Sequence, residues 1–297
     1  MDTIRLYLLK ILKKFRLIKF FNFHLYKTIN GVRIKVPIIY GMGLSNYVTE
    51  SDWLDSLIKL FTREDSHGFV DVGTNIGQTL IKAKSIRPKL EYIGFEPNSS
   101  CVIYLQDLIK TNNFKNCTIF NCALFSSVQF LNLEKNLSDD LRASVVSLLR
   151  PAYFKEKESV MAINYDSFFL DKKISFVKID AEGSELEIIE GMKKSIQKYK
   201  PIIVCEVLDS HNAKSLNFTQ SRATELCRLM QAIDYVIFHL IRDQLHHQIL
   251  DFKKVNDILI KQWTTESISM NDYLFCPSDY EADAIDRISH YHEINSN

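Results

Sequence analysis

The chain predicts an α/β fold, a largely parallel sheet with helices on both faces, and three observations carry that expectation. From Gly68 onward, short apolar runs alternate with amphipathic stretches of helical period. Several of these runs end on an acid: Phe69–Val72 contains Asp71 and turns at Gly73, Tyr92–Phe95 closes on Glu96, and Phe176–Ile179 closes on Asp180. With 297 residues, 46% of them hydrophobic, the chain can bury a full core.

The elements follow in order. Residues 1–27 hold seven basic side chains (Arg5, Lys10, Lys13, Lys14, Arg16, Lys19, Lys27) against one acid, Asp2. Ile4, Leu8, Ile11, Phe15 and Ile18 recur at helical spacing, which predicts a basic amphipathic helix. Leu25–Ile29 and Val32–Val36 flank Asn30-Gly31, a pair suited to a two-residue type I′ hairpin. Trp53, Leu54, Leu57, Ile58 and Phe61 mark a helix that, with the hairpin, can cover a crevice on the sheet. Strands are expected near 68–72, 91–95, 117–121, 175–179 and 202–206, and helices near 77–86, 98–111, 184–197 and 219–233. Tyr235–Leu240 and Tyr273–Cys276 complete seven strands. The organisation expected is an N-terminal extension, 1–65, and a main domain, 66–297. Between the third and fourth strands, Leu131–Asn164 reads as a long insert in which SVVSLL and PAYF break simple periodicity.

The acids suggest a nucleotide-type site. FVDVGTNIG has the order D-x-G-x-N-x-G rather than the G-x-G-x-x-G that cradles a pyrophosphate. An acid beside a glycine turn suits a zwitterionic cofactor carrying an amine, such as S-adenosylmethionine. Gly73 and Gly77 allow close backbone approach to a ligand, and Asn75 tolerates positive φ. Glu96, one strand further on, can accept both ribose hydroxyls.

Together, DVGTNIGQT, GFEPNSS, the NCAL of Asn121–Leu124, the YDSF of Tyr165–Phe168, KIDAEGSELEIIEG and the PIIVCEV of Pro201–Val207 carry a further reading. From about Tyr40 to Pro277 the chain resembles the FkbM family of S-adenosylmethionine-dependent methyltransferases. It departs at Thr74, where the family generally has alanine, and at Tyr165, where it often has leucine. The resemblance implies a Rossmann-like seven-stranded class I methyltransferase sheet with its last strand antiparallel. It also implies O-methylation of a sugar hydroxyl in a glycan, glycolipid or secondary metabolite. A nitrogen or protein acceptor, or a non-catalytic module docking on membrane or a glycan-assembly partner, are the alternatives.

In that frame Asp71 holds the methionine amine, Gly73, Asn75 and Gly77 line the methionine arm, and Glu96 binds ribose. Asn98, Asn121, Cys122 and Ala123 edge the adenine by their position in the family pattern. Asp180 is the first candidate for the acceptor's proton, with the rival role of holding the methionine amine or substrate hydroxyls. Glu182 and Glu206 are the other carboxylates near that edge, and Glu182 equally suits a helix N-terminus. Arg142, Ser144 and Ser147, with Tyr153, are acceptor-pocket candidates from the insert. Arg142 suits a carboxylate or phosphate, or simply solvent. His211, beyond the fifth strand, is a second candidate base on the substrate side, or a surface histidine.

A net charge of +1 provides no strong field for nucleic acid. The six cysteines lack C-x-x-C or zinc-like spacing, which fits reduced core thiols in a cytoplasmic protein, and no spacing is dedicated to a metal. No apolar stretch reaches the roughly 20 residues that span a bilayer. The basic N-terminal segment therefore either packs on the domain or lies on an anionic membrane surface. Co-sedimentation with anionic liposomes separates these: the membrane reading expects the full chain to pellet and a version starting after Asn22 to stay in solution. Equal pelleting ends it.

Overall fold

The computed structural model describes residues 20–62, 67–135, 156–243, 248–264 and 271–295. The expected helix from Ile4 to Ile18 and the insert candidates Arg142, Ser144, Ser147 and Tyr153 lie outside the described residues.

Strands β1 (Asn22–Ile29) and β2 (Val32–Ile39) pair with Ile29 opposite Val32, leaving Asn30-Gly31 as the turn. Both turn residues have positive φ, 47° and 77°, as a type I′ turn requires. Helices α1 (Leu44–Val48) and α2 (Trp53–Phe61) follow. Asp52 caps α2 by accepting the Leu54 N–H at 3.0 Å, while Asp55 accepts the Asp52 N–H at 2.9 Å. This reciprocal pair fixes the helix start.

Then β3 (Gly68–Val72), α3 (Gln78–Ile86), β4 (Tyr92–Phe95), α4 (Ser99–Asn112) and β5 (Cys117–Phe120) alternate. Strands β6 (Ala123–Leu124), β7 (Gln129–Lys135) and β8 (Glu156–Ile163) lead to the short helix α5 (Tyr165–Phe169). The chain continues through β9 (Ile174–Ile179), α6 (Glu185–Tyr199), β10 (Ile202–Glu206) and α7 (Leu216–Gln231). Strands β11 (Tyr235–Arg242), β12 (Ile249–Val255) and β13 (Asp272–Pro277) precede the last helix, α8 (Glu281–Asn295).

The main sheet runs β12-β11-β13-β10-β9-β3-β4-β5. Strands β5, β4, β3, β9 and β10 pair in parallel, and β13 is antiparallel to both its neighbours. The sheet therefore has eight strands among the described residues, not seven. The added one, β12, pairs with β11 at the edge, where Phe252 packs on Phe238 at 5.2 Å while Asp251, Lys253 and Lys254 face out. The insert also differs from expectation, because its two ends are strands. β7 and β8 pair from Gln129–Ala162 to Lys135–Glu156 and join β6 in a small sheet. Phe130 and Met161, opposite one another and exposed, place apolar groups on the outer face and so mask the period of two.

Alternation along the strands divides the core in two. Phe69, Tyr92 and Phe176 face the hairpin, α2, α3 and α4. Val70, Val72, Phe95, Val177 and Ile179 face α6 and α7. From β3 the chain proceeds to β4 on one side and later returns to β9 on the other. That reversal opens a crevice at the carboxyl ends of β3 and β9.

A buried ionic knot joins hairpin, α2 and α3. The Lys82 ammonium contacts Asp52 and lies 3.2 Å from Asp55, and Asn30 donates to Asp55 and, at 3.0 Å, to Ser85 Oγ. Removing one member of a buried pair leaves the other charge uncompensated. Lys82→Ala is expected to lower stability by about 3 kcal/mol in urea titration. On the opposite face, Tyr165 is buried against Phe95 and Phe169, with ring centroids 6.0 and 5.1 Å away, and its hydroxyl has no hydrogen-bond partner among the described residues. Tyr165→Phe should raise stability by about 1 kcal/mol in the same assay, since a desolvated, unpartnered hydroxyl is removed at constant shape.

Candidate functional site

Two strand tips meet backbone to backbone in the crevice. Gly73 leaves β3 with φ 79°, and a Cβ there would collide with the Asp180 carbonyl oxygen. The Asp180 N–H in turn donates to the Val72 carbonyl at 3.0 Å. Only glycine permits both the dihedral and the approach. Asn75 then takes φ 52°, as its type allows. Thr74 is accommodated because Gly94 lacks a side chain: a Cβ there would lie 2.6 Å from Thr74 Oγ1.

Glu96, at the end of β4, is held by both oxygens. The Asn75 N–H donates to Oε2 and the Asn98 N–H to Oε1, each at 2.8 Å. Burial pushes its pKa up and the two amides pull it down, leaving it at about 7.

Two cavities open from this point. The first, about 90 Å³, is lined by Gly73, Asn75, Glu96, Asn98, Ala123, Leu124, Leu133, Asp180 and Glu182. The second, about 730 Å³, is walled by residues 48–54, by Thr74, Gln78 and Lys82, and by Lys178, Asp180, Glu206, Arg242 and Asp272. Gly73, Asn75 and Asp180 belong to both.

Charges at the floor of the second cavity are paired. Lys178 Nζ lies 3.0 Å from Asp180 Oδ2 and 3.6 Å from Asp71 Oδ1. Burial pulls the Lys178 ammonium down, but Asp180 and Asp71 outweigh it and hold its pKa above the ordinary value. Arg242 pairs with Asp272 and lies over the Trp53 ring, 4.6 Å from its centroid. Burial raises Asp272 against the pull of Arg242, to about 6.

Several expected residues fall elsewhere. Asp71 is fully buried on β3, accepting from the Tyr92 hydroxyl and facing Lys178, and it lines neither cavity. It lies beneath the cavity floor, beside Lys178. Gly77 also lies off both cavities; a Cβ there would sit 2.7 Å from Leu105 and 3.1 Å from Leu108, so its role is packing α3 against α4. Asn121 reaches back to the carbonyls of Glu96 and Pro97, at 3.0 Å each, and Cys122 is buried in the core. Asn98 spends its side-chain oxygen capping α4 through the Ser100 N–H at 3.1 Å, although it still lines the first cavity. Glu182 lines the first cavity and Glu206 the second, so Asp180 and Glu206 share a wall that Glu182 does not. His211 packs near Trp263, centroids 6.0 Å apart, away from both cavities.

Lys178, Arg242 and Asp272 join the site without a counterpart among the sequence candidates, and Trp53 enters it from the helix expected to cover the crevice. The signal for Lys178 is its charge inside the apolar run FVKID, two residues before Asp180 and so on the same strand face. For Arg242 and Asp272, which come from strands far apart in sequence, there is no local signal.

Glu96 and Glu185 are both raised by burial to about 7. An acid whose folded pKa exceeds its unfolded value near 4.5 adds stability below that value and loses it as pH rises through about 7. At 1.36 kcal/mol per unit, each group contributes up to about 3 kcal/mol. Denaturant midpoints are expected to fall between about pH 4.5 and 7, and Glu96→Gln to make that fall shallower.

A family model described as the methyltransferase FkbM domain matches residues 71–252. Among solved structures, the methyltransferase FkbM from Methylobacillus flagellatus KT aligns at 17% identity and TM-score 0.43, covering 71% of this chain and 44% of that chain. This chain therefore spans less than half the length of that protein. Precorrin-6y C5,15-methyltransferase from Geobacter metallireducens GS-15 aligns at 12% identity and TM-score 0.36, covering 75% of this chain and 88% of that one. Aeropyrum pernix fibrillarin with natively bound S-adenosyl-L-methionine aligns at 6% identity and TM-score 0.41, with 75% and 73% covered. No curated protein sequence matches. Because the family model spans more than half of the sequence, this chain belongs to the FkbM methyltransferase domain family.

Proposed function

We propose that this chain is an S-adenosylmethionine-dependent O-methyltransferase acting on a sugar hydroxyl of a glycan, glycolipid or secondary metabolite. The observation that carries it is the pair of cavities meeting at Gly73, Asn75 and Asp180. Transfer needs a donor and an acceptor brought together at one point and shielded from water.

The residues fit the cofactor. Each Glu96 oxygen accepts one amide and keeps a lone pair for a ribose hydroxyl. Leu124, Leu133, Phe95 and Ile188 offer apolar surface to a purine. At about 90 Å³ the first cavity is below the roughly 300 Å³ of a ligand pocket, so a nucleoside has to widen it. With Asp71 sealed below the floor, Glu182 is the carboxylate assigned to the methionine amine. When bound, the cofactor supplies a methyl group made electrophilic by its sulfonium.

The acceptor takes the second cavity, where Trp53 offers an aromatic face and Glu50, Asp52 and Glu206 offer hydrogen-bond acceptors. Asp180, common to both cavities, receives the hydroxyl proton. In this reading residues 1–65 are an extension whose segment 48–54 walls the acceptor cavity, and 66–297 the catalytic domain. The basic residues before Lys27 are the part suited to an anionic membrane surface.

At a hundredfold excess over its Kd, S-adenosylmethionine should stabilise the protein by about 2.7 kcal/mol in a thermal-shift assay. Glu96→Ala should abolish that shift; no shift in folded wild type would favour a non-catalytic module. Asp180→Asn is expected to retain cofactor affinity within severalfold while transfer to a hydroxylated acceptor falls at least about a hundredfold. Lost cofactor binding in that variant would reassign Asp180 to cofactor positioning.

A further inference from the structure

Three carboxyl groups lie side by side at the floor of the larger cavity. Asp180 follows β9, Glu206 ends β10 and Asp272 begins β13. Cys205 stands opposite Ile179, which places the next residue on each strand, Glu206 and Asp180, as neighbours, and Glu206 stands opposite Asp272 on its other side. The outer two carboxylates have cations of their own, Lys178 for Asp180 and Arg242 for Asp272. Glu206, between them, makes no ion pair among the described residues.

We propose that Glu206 carries a proton and donates it in a hydrogen bond to Asp180, so that the two carboxyls work as one acid–base couple anchored by Lys178 on Asp71. Glu206 is then a positioning residue. The inference rests on the methyl-transfer reading for its use, and on geometry for its existence.

The charged groups facing the pair are Lys178 from β9, Asp71 from β3, Asp272 from β13, Arg242 from β11 and Glu185 from α6, with Glu50, Asp52 and Lys82 across the cavity. Two adjacent buried carboxylates cannot both stay ionised cheaply, and one keeps a proton. Burial first, then the charges of Asp180 and Asp272, drive Glu206 well above the usual carboxylate range. The Lys178 ammonium, 3.0 Å from Asp180, fixes which member is ionised.

This arrangement gives Asp180 a single vacant role. One of its oxygens faces Lys178, and the Glu206 O–H fixes the orientation of the carboxylate. When an acceptor hydroxyl enters, its O–H bond breaks, the electron pair stays on the acceptor oxygen as that oxygen takes up the methyl group, and the proton passes to Asp180. The couple then holds two protons and returns one to water.

Infrared spectroscopy of the full chain at neutral pH, wild type minus Glu206→Gln, tests this without an acceptor. The expected difference contains the carbonyl stretch of a protonated carboxylic acid, shifted in D2O; Glu96 and Glu185 contribute to both spectra and cancel. A difference holding only carboxylate bands overturns the proposal. Should the variant not fold, NMR of wild type labelled with 13Cδ-glutamate replaces it: a glutamate still protonated after Glu96 and Glu185 have ionised supports the couple, and none doing so overturns it. A failed cofactor thermal shift with the infrared band present would remove the methyl-transfer reading and leave the couple standing.

Discussion

The contact on which the site depends is the meeting of Gly73 with the Asp180 carbonyl. No side chain separates the tips of β3 and β9 there. This sets the width of the crevice at the topological switch point, and it sets the height at which the Asp180 carboxylate stands between two cavities. Around it, Asn75 in its left-handed conformation turns an amide toward Glu96, so the loop after β3 orients the acid after β4. Glu96 and Asp180 are thereby referred to one short piece of backbone.

Beneath that backbone lies a layer of buried charge. The row from the Tyr92 hydroxyl through Asp71 and Lys178 to Asp180 links β4, β3 and β9 at their carboxyl ends. Such groups are costly to bury singly and tolerable only as a connected set. Within this set Asp71, at the end of the first central strand, is held between the Tyr92 hydroxyl and Lys178. It counterbalances the lysine that pairs with Asp180.

Much of this fold is legible in the sequence because local pattern and final structure agree. The parallel strands, the helices between them and the Asn-Gly hairpin each follow from periodicity or turn chemistry confined to a few neighbouring residues. The acids Glu96 and Asp180 are legible for the same reason. What escapes is whatever depends on a third dimension. Asp71 and Gly77 have the expected residue types, but alternation turns Asp71 to the opposite face from Val72, and Gly77 relieves a helix contact 28 to 31 residues ahead in the chain. Arg242 and Asp272 meet only because β13 inserts between β10 and β11.

The pairing of Lys135 with Glu156 has a consequence for how this family member can change. With twenty residues between them in sequence, Lys135 and Glu156 stand opposite one another on paired strands of the small sheet. A segment closed in this way can lengthen, shorten or change composition while its anchors stay fixed, since doubling a loop costs only about 0.6 kcal/mol in closure entropy. β6 and β7 carry Leu124 and Leu133 to the wall of the first cavity, so the small sheet that holds these anchors also forms part of that wall. A change of length between these anchors therefore falls on the small sheet and leaves the buried charge layer of the main sheet undisturbed.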